Sequence, residues 1–224
     1  MSVEGGRSMK TSQYVWLVAG LGLGLLLVGP PRARAGVGPG SCVTGNNVCL
    51  NNTGDVGKKS CNGNFACEDN SGRIGNSGAC TGVGACLGNS GRVLNTSCVG
   101  FEACTGNMAA VGTHTCVGDF ACASNDGKIG NNACVGANAC NSNDGVVGTS
   151  SCKGELACNV NTATVGTDSC NGAAACYHNT KPIGNNACKG EKACCGNTAP
   201  IGPGQCNGPP VGGVGVCQVG TSCP

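Results

Sequence analysis

Cysteine has the most chemistry to offer in this chain. There are twenty-two of them, all at or after Cys42. A thiol can be a nucleophile, a metal ligand or half of a disulfide, and spacing separates these uses. Zinc knuckles and ribbons use C-x-x-C, which is absent here, as is C-x-C. The two histidines, His114 and His178, fall in non-equivalent positions. Asp126 and Asp144 each sit in an N-D-G turn. Two carboxylates are few for Ca²⁺, which takes six to eight oxygens. A paired-carboxylate glycosidase would also need aromatic platforms. Phe65, Phe101, Phe120 and Tyr177 are the aromatics after the leader, and only Phe65 and Phe120 share a position in the repeat. Turn formation explains N-D-G without an ion. No Ser-His-Asp or Cys-His set recurs. The expectation is a non-enzymatic protein with no catalytic residue, no metal site and no cofactor.

The elements that hold the cysteines follow from a repeat. Cys61, Cys80, Cys98, Cys116, Cys134, Cys152, Cys170 and Cys188 each open a stretch C-x-G-x-x-A-C. Its second cysteine falls at Cys67, Cys86, Cys104, Cys122, Cys140, Cys158, Cys176 and Cys194. An aliphatic recurs at Val56, Ile74, Val93, Val111, Ile129, Val147, Val165, Ile183 and Ile201, followed by Gly except at Leu94. Four residues before each aliphatic stands an asparagine: Asn52, Asn70, Asn89, Asn107, Asn125, Asn143, Asn161, Asn179 and Asn197. The period is 18, with one step of 19. Disorder does not require such phase.

Eighteen is three times six, and six-residue steps are the beat of parallel β-solenoids. The spacing predicts an all-β fold, an elongated parallel β-solenoid (β-helix) of about nine 18-residue coils, with handedness open. Each face would be a short strand and each corner a Gly or Asn turn. Stacked asparagines would form an amide ladder. The slot after the first cysteine accepts Lys153 and Lys189, so it is read as solvated, and the cysteines as interior.

Residues 1–35 read as a secretory signal peptide: Arg7 and Lys10, then the apolar run 14–29, Pro30-Pro31, and Ala33-Arg34-Ala35. The apolar run is short for a membrane span. Secretion, to the extracellular space, cell surface or periplasm, leaves no stable membrane anchor after cleavage. The leader holds Arg7, Lys10, Arg32 and Arg34 against Glu4. Without it nine basic and ten acidic residues remain of the thirteen and eleven in the whole chain. That near-neutral balance argues against a nucleic-acid partner. Residues 36–206 form the repeat domain and 207–224 a C-terminal cap.

An oxidising compartment pairs thiols. One aliphatic per coil cannot offset the entropy of ordering eighteen residues, so staples are expected. The predicted pairing is within each coil: Cys61–Cys67, Cys80–Cys86, Cys98–Cys104, Cys116–Cys122, Cys134–Cys140, Cys152–Cys158, Cys170–Cys176 and Cys188–Cys194. Parity adds Cys42–Cys49, Cys195–Cys206 and Cys217–Cys223. Pairing between coils is the alternative, and connectivity stays open at this level. C-x5-C in a Gly/Asn/Thr-rich repeat resembles the disulfide-stapled β-helices of beetle antifreeze proteins, whose unit is twelve residues. The V-G-x-x-S and I-G-N-N-A steps are similar to hexapeptide-repeat left-handed β-helices. Each resemblance covers residues 42–206 loosely.

The reading of function is a secreted structural or surface-interaction protein, adhesin- or matrix-like, with an unidentified surface or matrix ligand and an unspecified oligomeric state. The alternative, which the antifreeze resemblance implies, is an ice- or crystal-surface binder. Its binding file would be Asn95, Thr113, Asn131, Thr149, Thr167 and Asn185, two residues after each aliphatic, with Thr113-His114-Thr115 the one T-x-T that starts on this file. A thiolate metal binder comes third.

Overall fold

A cysteine pair six residues apart decides how the chain runs between its members. Residues in a strand advance about 3.3 Å each, so six would separate the Cα atoms by about 20 Å. Cys116 and Cys122 lie 5.5 Å apart at Cα and are joined. The intervening backbone must therefore curl. The computed structural model describes residues 36–207, within the compact unit Arg34–Pro224. The expected signal peptide lies outside the described residues, as does the cap beyond Asn207.

The all-β expectation needs correction. Among the described residues there is no helix and no extended strand, and no sheet or barrel forms. What remains of parallel pairing is a set of isolated single-residue bridges. One column links Val37, Val56, Ile74, Val93, Val111, Ile129, Val147, Val165, Ile183 and Ile201 in order. A second links Asn62, Thr81, Val99, Val117, Val135 and Lys153. Between the columns the chain is almost all turn and bend. The protein is a stack of 18-residue coils made of turns.

The backbone shows why strands do not form. Left-handed residues recur at fixed slots of every coil. In one coil they are Cys116, Phe120, Ser124 and Asn132, with φ of 58°, 53°, 52° and 53°. The glycine two residues after the first cysteine has φ near +133°, as at Gly118. Such residues reverse the pleat. Each non-glycine in this region costs about 1–2 kcal/mol, so the coil must be over-determined elsewhere.

Part of that determination is hydrogen bonding in both directions along the stack. Val111 N–H donates to Arg92 of the preceding coil, and Gly112 N–H to Ile129 of the next. Cys98 N–H donates forward to Thr115, while Gly100 and Glu102 donate back to Thr81 and Val83. Short turns close the corners, as Ala121 to Gly118 and Ala123 to Phe120. The rest is a narrow interior: between Val56 and Asn197 each coil buries one Val or Ile, one Ala, two Cys and one Asn, apart from the half-buried Asn52 of the first coil.

The stack also contains a rung the sequence reading omitted. Val37 pairs with Val56 across 19 residues. The extra residue there is taken up inside the Cys42–Cys49 loop, whose separation is 7. The other 19-residue step is absorbed at Gly78, which has φ 78° and accepts a hydrogen bond from Thr81 Oγ1 at 2.9 Å.

Two substitutions separate tolerated strain from required space. Val160 is β-branched yet has φ 55°, in a slot that holds Gly88, Gly106 and Gly196 in other coils. Val160→Gly should stabilise by about 1 kcal/mol. A Cβ on Gly118 would lie 2.6 Å from the carbonyl oxygen of Gly136. Gly118→Ala should cost roughly 3 kcal/mol or more. Equilibrium denaturant unfolding of the oxidised protein measures both, and equal effects of one sign would refute the account.

Candidate functional site

The cysteines are the most regular chemical feature of the stack. Nine bridges join described residues: Cys42–Cys49, Cys61–Cys67, Cys80–Cys86, Cys98–Cys104, Cys116–Cys122, Cys134–Cys140, Cys152–Cys158, Cys170–Cys176 and Cys188–Cys194. Cys195 and Cys206 are also disulfide-bonded, but a Cys195–Cys206 bridge is not among these nine. Cys217–Cys223 lies outside the described residues. No described cysteine is free. Stacking brings sulfurs of successive coils close: those of Cys61, Cys67 and Cys80 lie within 4.8 Å of one another. That is a spacing thiolates could use for a metal. Oxidised sulfurs offer no thiolate, so the chemistry of this column is structural.

The asparagine column is an interior device. Asn125 Nδ2 donates to Asn107 Oδ1 at 2.8 Å and to the Gly127 carbonyl at 2.8 Å. Asn143 Nδ2 donates in turn to Asn125 Oδ1. The same link runs from Asn70 to Asn52, Asn89 to Asn70, Asn107 to Asn89, Asn161 to Asn143, Asn179 to Asn161 and Asn197 to Asn179. Asn is the shortest side chain with both a two-hydrogen donor and an acceptor. Buried amides must be fully partnered, and the ladder partners them.

The file after the aliphatic runs along the surface. Asn95, Asn131, Thr149, Thr167 and Asn185 are exposed and Thr113 is half-buried. Its asparagines are partly committed. Asn95 Oδ1 accepts from Asn76 N–H, Asn131 Oδ1 from Thr113 N–H and Asn185 Oδ1 from Thr167 N–H, at 2.8–2.9 Å. Thr115, the other half of the T-x-T, is buried. Its Oγ1 donates to the Gly130 carbonyl, as Ser97 does to Gly112 and Ser169 to Gly184. Thr113 and Thr115 therefore share no surface.

The remaining polar candidates are scattered. Asp126 and Asp144 are exposed on neighbouring coils, in a column with Met108 and Thr162. His178 packs on Tyr177, with ring centroids 4.4 Å apart. Phe101 meets Phe120 edge to face at 5.2 Å, on the cysteine side of the coil. Among the described residues the one ion pair joins Lys189 to Asp168. The hydrogen bond from Lys189 holds the Asp168 carboxyl below its ordinary range, helped by the charges of Lys189 and Lys153 and by Asn171.

One surface feature went unread in the sequence. The residue before each aliphatic points outward, the aliphatic points in, and the glycine after it adds no side chain. The result is a groove along the stack. One stretch, of about 490 Å³, is lined by Asp55, Arg73, Arg92, Leu94, Asn76 and Asn95 with the backbone between them. The adjoining stretch, of about 380 Å³, takes in Arg92, Leu94, Lys128, Asn131 and Thr149. Arg73, Arg92 and Lys128 were missed because that slot does not conserve type from coil to coil. It also holds Asp55, Ala110, Val146 and Thr164.

A family described as a domain of unknown function (DUF7640) matches residues 40–132 and again 116–223. The chain belongs to this family. Cys42 and Cys116 open equivalent coils four steps apart, through Cys61, Cys80 and Cys98, so the two DUF7640 matches read one cysteine-rich repeat in two registers. No curated protein and no solved structure matches the chain.

For a DUF7640 stack held in this way, the loss of one ladder rung is costly. Asn125→Asp removes both donors and places a carboxylate where exposure is 0 %. It should destabilise by roughly 3 kcal/mol or more, read by denaturant unfolding; a neutral result would show that the ladder carries no stability. Reduction and chelation also part company. A phosphine reductant should abolish the cooperative unfolding transition while EDTA leaves it unchanged, and sensitivity to EDTA alone would reinstate the metal reading.

Proposed function

We propose that this protein is a secreted, non-enzymatic repeat scaffold that presents a regular surface to an extended partner outside the cell. The observation that carries this reading is the groove. It runs over successive coils with one rung from each, on a frame whose described cysteines are all oxidised. Regular disulfides fit an oxidising, extracellular environment. Among the described residues no helix is long and apolar enough to cross a membrane. Repetition favours a long ligand, since many weak equal contacts add through avidity, and binding faces on stacked repeats are long and regular.

The reading treats the interior and the exterior differently. Cysteine, asparagine, alanine and glycine slots are fixed by packing. The outward slots vary freely, and specificity resides there. An ice surface is a weaker fit: the asparagine oxygens of the exposed file are turned onto neighbouring backbone.

Expression of the full chain in a secreting eukaryotic host tests the proposal. The product should appear in the medium, begin at Gly36, contain no titratable thiol before reduction, and show no thermal hysteresis. Retention in the cytosol with free thiols would refute the scaffold reading. Ice-growth inhibition abolished by Thr149→Lys would replace it with the ice reading.

A further inference from the structure

The groove has two rims of different chemistry. On one side Arg73, Arg92 and Lys128 stand exposed, and no carboxylate lies within ion-pair distance of any of them among the described residues. Adjacent coils are about 4.8 Å apart. Arg73 and Arg92 therefore sit one step apart, and Arg92 and Lys128 two steps, about 10 Å. On the other side stand Asn76, Asn95 and Asn131. Their Oδ1 atoms accept from Lys58, Asn76 and Thr113 N–H. That leaves the Nδ2 of each exposed side chain as a donor. Both rims thus offer hydrogen-bond donors, the basic rim adds positive charge, and the ligand they complement is rich in acceptors and negative charge.

The floor adds shape. At most of the glycines after the aliphatic a Cβ would meet the next coil's backbone, as at Gly112, 2.6 Å from Gly130 C. The consequence is an open floor with one exception. Leu94 replaces glycine and lines both stretches of the groove. It is half-buried, an apolar step between Arg92 and Asn95. A thin ribbon with a partly apolar face and charged edges suits this section. Nucleobases do not: no aromatic residue lines either stretch on which a base could stack, and the Phe101–Phe120 pair lies on the cysteine side of the coil.

We propose that this groove binds a linear acidic polysaccharide, its anionic groups paired with Arg73, Arg92 and Lys128 and its sugar rings laid along the glycine floor over Leu94. The assignment rests on the scaffold reading above and names its partner class. Arg92 is the central residue, since it borders both stretches. Asp55 closes the groove at one end with the opposite charge, so the anionic chain runs from Arg73 toward Lys128.

The test uses the oxidised full chain and fluorescently labelled oligosaccharides in titrations at two salt concentrations. The probes are oligogalacturonate, carrying carboxylates, and a heparin-derived oligosaccharide, carrying sulfates. Methyl-esterified oligogalacturonate and single-stranded DNA of equal charge are the comparisons. At least one acidic oligosaccharide should bind, more weakly at high salt, and more tightly than the ester or the DNA. Preference between the two probes then identifies carboxylate or sulfate. The double substitution Arg73→Gln/Arg92→Gln should weaken binding by about tenfold or more, which corresponds to roughly 1.4 kcal/mol. Lys153→Gln, outside the groove, should leave it unchanged. All three residues are exposed, and a thiol count and the unfolding transition verify that each variant keeps its fold. Oxidised, folded protein that binds neither acidic probe, that prefers DNA, or that loses binding equally in Lys153→Gln overturns the glycan assignment alone. Free thiols in the native sample overturn the scaffold beneath it.

Discussion

The bridge between two cysteines six residues apart is the constraint from which the other features follow. It holds two Cα atoms about 5.5 Å apart, across a stretch that would otherwise run nearly four times as far. Curling that tightly forces left-handed residues at regular slots and makes glycine mandatory where neighbouring coils touch. It also leaves little room inside, so the interior takes one aliphatic and otherwise only small residues. A stack this thin gains little from hydrophobic burial. Closing each short loop contributes about 2 kcal/mol in the chain-entropy view, and the buried amide ladder makes any other register leave polar groups unpaired.

Much of this was legible in the sequence, and the rest fails for physical reasons. The 18-residue period, the paired cysteine slots and the asparagine series all show as spacing, because an interior position admits one residue type. Conformation does not show in this way. A period gives the length of one coil, and eighteen residues can be laid out as three short strands or as a chain of turns. An unbroken strand over Cys116–Cys122 would hold the sulfurs apart, so that pairing already required a turn between them. The strand expectation rested on analogy to six-residue repeats, and the left-handed slots are only partly marked in residue type: that of Ser124 holds Gly in three other coils, while that of Phe120 also takes Glu102, Leu156 and Lys192.

The groove was invisible for the opposite reason. Its floor was seen, as the Val-Gly step, but read as a marker of the repeat. Its charged rim stands in a slot that accepts Asp55, Arg73, Arg92, Ala110 and Lys128 in successive coils. A search for repetition discards such a slot as noise. In a protein whose interior is this repetitive, the non-repeating positions carry the individual character of the chain, and Leu94, the single departure from glycine after an aliphatic, lies in the middle of them.

Every staple with defined geometry begins and ends within its own coil. Removing or duplicating one of these coils would therefore leave the other eight of the nine bridges correctly partnered, which is not true of disulfide frameworks that cross between distant segments. Each loop can also close as soon as its own few residues emerge during synthesis, before later cysteines compete. Length becomes an adjustable quantity in this architecture: unequal crossing-over between repeats can extend or shorten the binding face, one rung at a time, without any need to redesign the fold.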